Sequence, residues 1–230
     1  MENLFDAAES CLSACEIKEK LQLTEQTAQA WRDGLLSLES KSAPKLIVEP
    51  GCPEKPILVS AGDVPKRRLG SPEGLAALIH AVTHIEFNAI NLAWDAVYRF
   101  RDLPQKFYSD WVQIAIEEAY HFQLLRQRLN ELNSDYGDLP AHNGLWDMAK
   151  RTAFDPLVRM ALVPRVLEAR GLDVTPGIIE RAYDKQVMIE PLPCWKSSYA
   201  MKWDMSLSVR IGSSIYVNSV NWIRSNYSGN

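Results

Sequence analysis

Apolar residues recur at three- and four-residue steps through three stretches of the chain, and that spacing predicts three long helices. In the first, from about Pro72 to Arg101, the stripe is Leu75, Ile79, Val82, Ala89, Ala93, Val97 and Phe100. Ser71, Pro72 and Glu73 begin it with an N-cap, a proline at the first helical position and a first-turn acid. Pro104 opens the second, which runs to about residue 133 on Phe107, Trp111, Ile114, Phe122, Leu125 and Leu129. The third, residues 147 to 170, carries Phe154, Leu157, Ala161 and Pro164, with a kink expected at Pro164. Between the second and third, residues 133 to 147 form the long connection that a bundle with one crossover needs. Residues 1 to 42 show a mixed pattern that predicts a two-helix N-terminal appendage. The prolines Pro44, Pro50, Pro53, Pro56, Pro65 and Pro72 mark residues 43 to 71 as an extended linker wrapping the next domain. Thr175 and Pro176 cap a further short helix, and the helical period is lost after residue 181.

Four ionisable residues interrupt the apolar stripes: Glu86 in the first helix, Glu118 and His121 one turn apart in the second, and Glu168 in the third. A buried carboxylate without a partner is disfavoured by several kcal/mol, so an acid on a core face is neutralised, paired or bound to a cation. One Glu, then Glu-x-x-His, then another Glu are three of the four elements of a di-metal site between four helices. The fourth, a second Glu-x-x-His, is missing. His80 and His84 stand about 120° and 160° around the first helix from Glu86, nearer the faces of Asn88 and Asn91, and are read as lying behind the ligands or on the surface. Glu117 points aside to solvent. Asp135, Asp138 and His142 do not have the spacing of a calcium loop and read as turn residues.

Composition narrows the classes further. The 230 residues are 47% hydrophobic and 23% charged, enough for a sizeable core. No apolar run reaches the length of a membrane helix, and the acidic N-terminus is unlike a secretion signal, so a cytoplasmic location is expected. Cys11, Cys15, Cys52 and Cys194 form no disulfide framework; Cys11 and Cys15, one turn apart, read as small apolar residues on a helix face. A net charge of −4 gives no general nucleic-acid footprint.

From about Val64 to Arg181 the chain closely resembles a bacterial ferritin-like family of unassigned function, domain of unknown function 455. The segments PKRRLGSPEGLAALIHAVTHIEFNAINLAWDAVYRF, EEAYHFQLLRQRL, YGDLPAHNGLW and RMALVPRVLEARGLDVTPGIIER carry the resemblance. That family looks like a relative of the di-iron tRNA hydroxylases. The resemblance implies an all-α, ferritin-like four-helix bundle over residues 72 to 181 and a di-iron or di-manganese centre at Glu86, Glu118, His121 and Glu168. It also implies oxidation of an unknown small-molecule or RNA substrate. The family continues with a helix of the type AAAILEVILRDEVGHVAIGSRWF, where this chain has an unrelated tail, residues 182 to 230.

The genetic code supplies a reason. Codons started at the third base of each present codon force Leu from Cys194-Trp195, Glu from Trp195-Lys196, Glu from Met201-Lys202, Gly from Trp203-Asp204 and Asp from Trp222-Ile223. Four fall in the missing helix, where synonymous choices complete LEVILRDEVGHVA, and the Asp fits the shifted sequence beyond it. A frameshift near Arg181-Ala182 is therefore expected to have replaced the fourth helix with out-of-frame sequence. The chain is read as an incomplete oxidoreductase relative, itself inactive and at most a weak metal binder. The alternatives are a ferritin-type metal store, which needs a many-subunit shell, and a non-catalytic scaffold in which Glu86 and Glu118 pair with Arg165 or His121.

Overall fold

The computed structural model describes residues 3–40, 42–65 and 71–163. Met1–Pro156 form one compact unit and Leu157–Asn230 a second. Among the described residues the regular structure is helical: α1 (Leu4–Ser13), α2 (Ile17–Arg32), α3 (Pro72–Arg99), α4 (Gln105–Glu131), α5 (Gly144–Arg151) and, opening the second unit, α6 (Pro156–Leu162). Two isolated bridges, Asn3 with Ser37 and Leu58 with Ala141, are its extended pairings. None of the described helices is long and apolar enough to cross a membrane.

α3 and α4 are an antiparallel pair whose ends are set by local chemistry. Ser71 Oγ accepts the amide of Gly74 at 3.1 Å and caps α3. The turn between them contains Asp102 with φ 59°. α4 stops where Asn133 enters the left-handed region at φ 57° and Ser134 N–H reaches back to the Leu129 carbonyl at 3.0 Å. The pair makes the most extensive helix contact of the unit, and α3 is its centre: every residue from Ile90 to Tyr98 is buried. That stretch has no solvated face, which is why it buries Asn91 and Asp95; His80, His84 and Asn88 are buried nearer the start of α3, where Ala81 and Ile85 face solvent.

Residues 1 to 42, expected as an appendage, lie inside this unit. α1 packs on α3, and α2 packs on α1 and α4. Trp94 Nε1 donates to Thr24 Oγ1 at 2.9 Å in the core, and Trp31 Nε1 donates to Ser109 Oγ at 3.1 Å. The Phe5 ring meets Tyr108 edge-on, with centroids 5.5 Å apart, under the Arg101 guanidinium. The proline-rich segment is a strap across the same unit. Lys45 N–H donates to Tyr98 OH, Gly51 N–H to Leu12 O, and Trp146 Nε1 to Val48 O, while Ala141 exchanges bonds with Ile57 and Val59.

The third predicted helix differs most from expectation. In place of one helix over 147 to 170, the described residues form α5 and α6, separated by a turn over residues 152 to 155. Asp155 precedes Pro156, whose ring disfavours helical backbone at Asp155, and Pro156 has no N–H to continue the ladder. Thr152 also turns its hydroxyl onto the Met148 and Ala149 carbonyls. Pro164, Glu168, the short helix at Thr175 and the tail 182 to 230 lie outside the described residues.

Candidate metal centre

Glu86 lies as far before Asp102 as Glu118 lies after it. In an antiparallel helix pair rising about 1.5 Å per residue, the two acids therefore stand at the same height above the turn. His121, one turn beyond Glu118, shares its face. The three side chains are buried, at 3%, 4% and 1% exposure, and offer one ligand atom each within 4.8 Å of one another. Glu118 Oε2 and His121 Nδ1 are 3.2 Å apart. An ion with bonds of about 2.1 Å keeps its ligands no more than about 4.2 Å apart, so these donors close around one ion with a movement of about half an ångström. Carboxylate oxygen with imidazole nitrogen suits iron or manganese. The set thus fits the metal that the sequence implies. Glu168, expected as a fourth ligand, lies outside the described residues. Glu117, as its angle implies, leaves the site and accepts a bond from Gln113 at 2.8 Å.

The cluster sits on the seam of α3 and α4 away from α2. On α4, Glu118 stands opposite Ser109, which holds Trp31; on α3, Glu86 is about 80° around from Trp94.

A second polar group on α3 is turned to the connection after α4. His80 Nε2 accepts the amide of Gly137 at 3.0 Å. His84 Nδ1 lies 2.9 Å from Tyr136 OH, and its Nε2 lies 3.2 Å from the His142 carbonyl. Nε2 also lies 3.0 Å from Asn88 Nδ2, so an acceptor and a donor both meet that ring nitrogen. Asn88 Nδ2 donates to the His84 carbonyl at 3.1 Å. The Tyr136 ring packs on Phe87 and Phe122, the neighbours of Glu86 and His121 in sequence. Burial pushes His84 down to about 4 and lowers His80 as well, so both rings are neutral near pH 7. Both histidines are buried, which rules out the surface position expected as one alternative. Tyr136, which completes their clamp, carries no periodic signal because it stands in a loop.

The acids of that connection do turn chemistry, as their spacing indicates. Asp135 holds Arg126 with two contacts of 2.8 Å and accepts the Tyr136 amide; Asp138 Oδ2 accepts the Asp135 amide at 2.7 Å. Of the cysteines read as a small-residue pair, Cys11 is buried against Thr27 Oγ1 at 3.3 Å, while Cys15 is exposed. Lys20, unremarked in the sequence, is fully buried; its Nζ donates to Cys11 O at 2.8 Å and Leu12 O at 3.1 Å, at the carbonyl end of α1. Loss of hydration lowers its pKa to about 8.

Comparison with known proteins extends the resemblance toward the N-terminus. A family described as "Protein of unknown function (DUF455)" matches residues 13–187, taking in α2 and the strap as well as α3 to α6. An uncharacterized protein of Haemophilus influenzae (strain ATCC 51907 / DSM 11121 / KW20 / Rd) is 43% identical over 187 residues, covering 77% of this chain and 65% of the relative's length. No solved structure matches. With most of its length inside the family's match, the chain belongs to the protein family of unknown function DUF455.

Proposed function

We propose that this chain is an incomplete ferritin-like di-metal carboxylate protein in which Glu86, Glu118, His121 and Glu168 are ligands to iron or manganese. The observation that carries the reading is the convergence of two buried acids and a buried imidazole within 4.8 Å. When bound by the complete site, a pair of such ions would activate dioxygen to oxidise a small-molecule or RNA substrate. Within this chain Glu86 and Glu118 present carboxylate oxygens at one height of the α3 and α4 pair, and His121 supplies a nitrogen donor one turn away. Burial excludes water from all three.

The remaining Glu and His belong to a fourth bundle helix that a reading-frame change near Arg181-Ala182 has replaced. Support comes from the five forced codon overlaps and from a family match that runs only to residue 187. The surviving donors then bind one ion weakly, and this chain is inactive as an oxidase.

Sequencing the coding DNA across codons 178 to 206 tests the frame; an in-frame stop, or other residues where Leu, Glu and Gly are forced, would remove it. Metal analysis tests the site. The frame-restored protein should carry about two ions per chain, and Glu86→Gln or Glu118→Gln should lower that content. The 3.2 Å contact of Glu118 with His121 favours a second reading, a metal-free scaffold with a buried acid–imidazole pair. A frame-restored protein that takes up no iron or manganese would select it. A many-subunit shell in solution would instead favour storage.

A further inference from the structure

The strap touches the elbow between α1 and α2 at a point flanked by two thiols. Gly51 N–H donates to the Leu12 carbonyl at 2.8 Å. A β-carbon on Gly51 would lie 2.2 Å from the Ser13 carbonyl oxygen and 2.4 Å from that of Ala14, so only glycine permits this approach of backbone to backbone. Cys15 follows Ala14 on the elbow, and Cys52 follows Gly51 on the strap. Both are exposed, and neither is in a helix. One residue on each side of a backbone contact places the two α-carbons within about 10 Å, and a bridge needs less than about 7 Å. The elbow and strap are irregular backbone, so the remaining approach is local. Cys11, the sequence neighbour of Cys15, is sealed in the core against Thr27.

We propose that Cys15 and Cys52 form a reversible disulfide that locks the strap to the α1 and α2 elbow when the protein meets a peroxide. One thiolate attacks a peroxide oxygen, giving a sulfenic acid and one water from hydrogen peroxide. The second thiol, as its thiolate, displaces hydroxide from that sulfur. The two thiols lose two hydrogens, and the peroxide is reduced to two waters. Cys52 is exposed at the surface, but neighbouring atoms take part of the water from its thiol and raise its pKa, and the Lys20 ammonium beneath the same carbonyl end opposes the rise. The lock reaches further than the elbow. Three positions before Cys52, Glu49 accepts from Lys150 at 2.7 Å and Asn143 at 3.1 Å, and Val48 O accepts the Trp146 indole, so the strap seats α5.

The test treats the full chain with hydrogen peroxide, natively and in urea, and maps cross-linked peptides by mass spectrometry without reductant. Natively, the Cys15 and Cys52 peptide pair should dominate, lighter by two hydrogens and restored by dithiothreitol. In urea, the short loop between Cys11 and Cys15 should be favoured instead. Cys15→Ser and Cys52→Ser should each abolish the native product, while Cys11→Ser should leave it intact. The same peptide distribution in both states, or separately over-oxidised Cys15 and Cys52 with no link, would overturn the proposal.

Discussion

Two faces of α3 carry the residue types of a metal site, yet they meet different neighbours. Glu86 meets Glu118 and His121, whose atoms all donate electron pairs. His80 and His84 meet an amide, a phenol and a carbonyl, which occupy their ring nitrogens with ordinary hydrogen bonds. Burial is common to both faces. A buried histidine becomes a ligand candidate only where other donors converge on the same point, and a bonding complement supplied by a loop marks it as a fastening.

The largest expected effect tests the Glu86 face. Saturating iron or manganese, at about a thousand times Kd, would stabilise the frame-restored protein by about 4 kcal/mol, or roughly 8–16 °C in melting temperature. The present chain should shift far less. Equal shifts side by side would mean that the fourth helix contributes no ligands, and Glu86→Gln should abolish the shift in the restored protein.

His84→Ala breaks the other face. Tyr136 OH would lose its His84 partner inside the core, which destabilises by about 2–4 kcal/mol whether or not metal is present. The same clamp predicts a pH dependence. His84 is depressed to about 4 in the fold, against about 6.5 unfolded, so the unfolded chain takes up the proton first as pH falls. Stability is full above about pH 6.5 and declines by up to about 3 kcal/mol on the way to about pH 4. Urea titrations at both ends measure it. A slope unchanged in His84→Ala would assign the pH dependence elsewhere.

Trp94→Phe is a smaller change, expected to cost about 1–2 kcal/mol through the lost Thr24 bond. Because α2 belongs to the same unit as α3, far-ultraviolet circular dichroism and tryptophan fluorescence should still report one transition. Two separated transitions would restore an independent appendage. Smallest of all, Lys106→Ala removes an exposed pair with Asp110 and should change stability by less than about 0.5 kcal/mol.

What the sequence discloses follows the range of the interaction. Ser71 and Pro72 mark the start of α3 because a cap is a contact across three residues. Glu86 is legible because an acid breaks an apolar stripe, and its equal spacing with Glu118 about Asp102 adds a cue that periodicity alone passes over. The break at Asp155 and Pro156 was present in the sequence, but the stripe through Phe154 and Leu157 carries the reading past it; Phe154 is in fact 76% exposed. The place of α1 and α2 was hidden for a different reason. Trp94 and Thr24 are 70 positions apart, and Lys20 looks like any surface lysine until the end of α1 closes over it. Tyr136 and His84 meet across 52 positions, which no local pattern encodes.

The strap also sets an order of events during folding. α3 and α4 join through a short turn, and α1 and α2 through an elbow, so each pair closes a small loop and assembles quickly. The strap is fastened to α5 by Val48 with Trp146, Glu49 with Asn143 and Glu49 with Lys150, pairs separated by 98, 94 and 101 positions. On the ribosome, none of these bonds can form until α5 has emerged, although the strap was made long before. The nascent protein must therefore hold a strap fastened only at Leu12 and Tyr98, and limited proteolysis of stalled chains should find the stretch around Val48 and Glu49 more cleavable until Lys150 is clear of the exit tunnel.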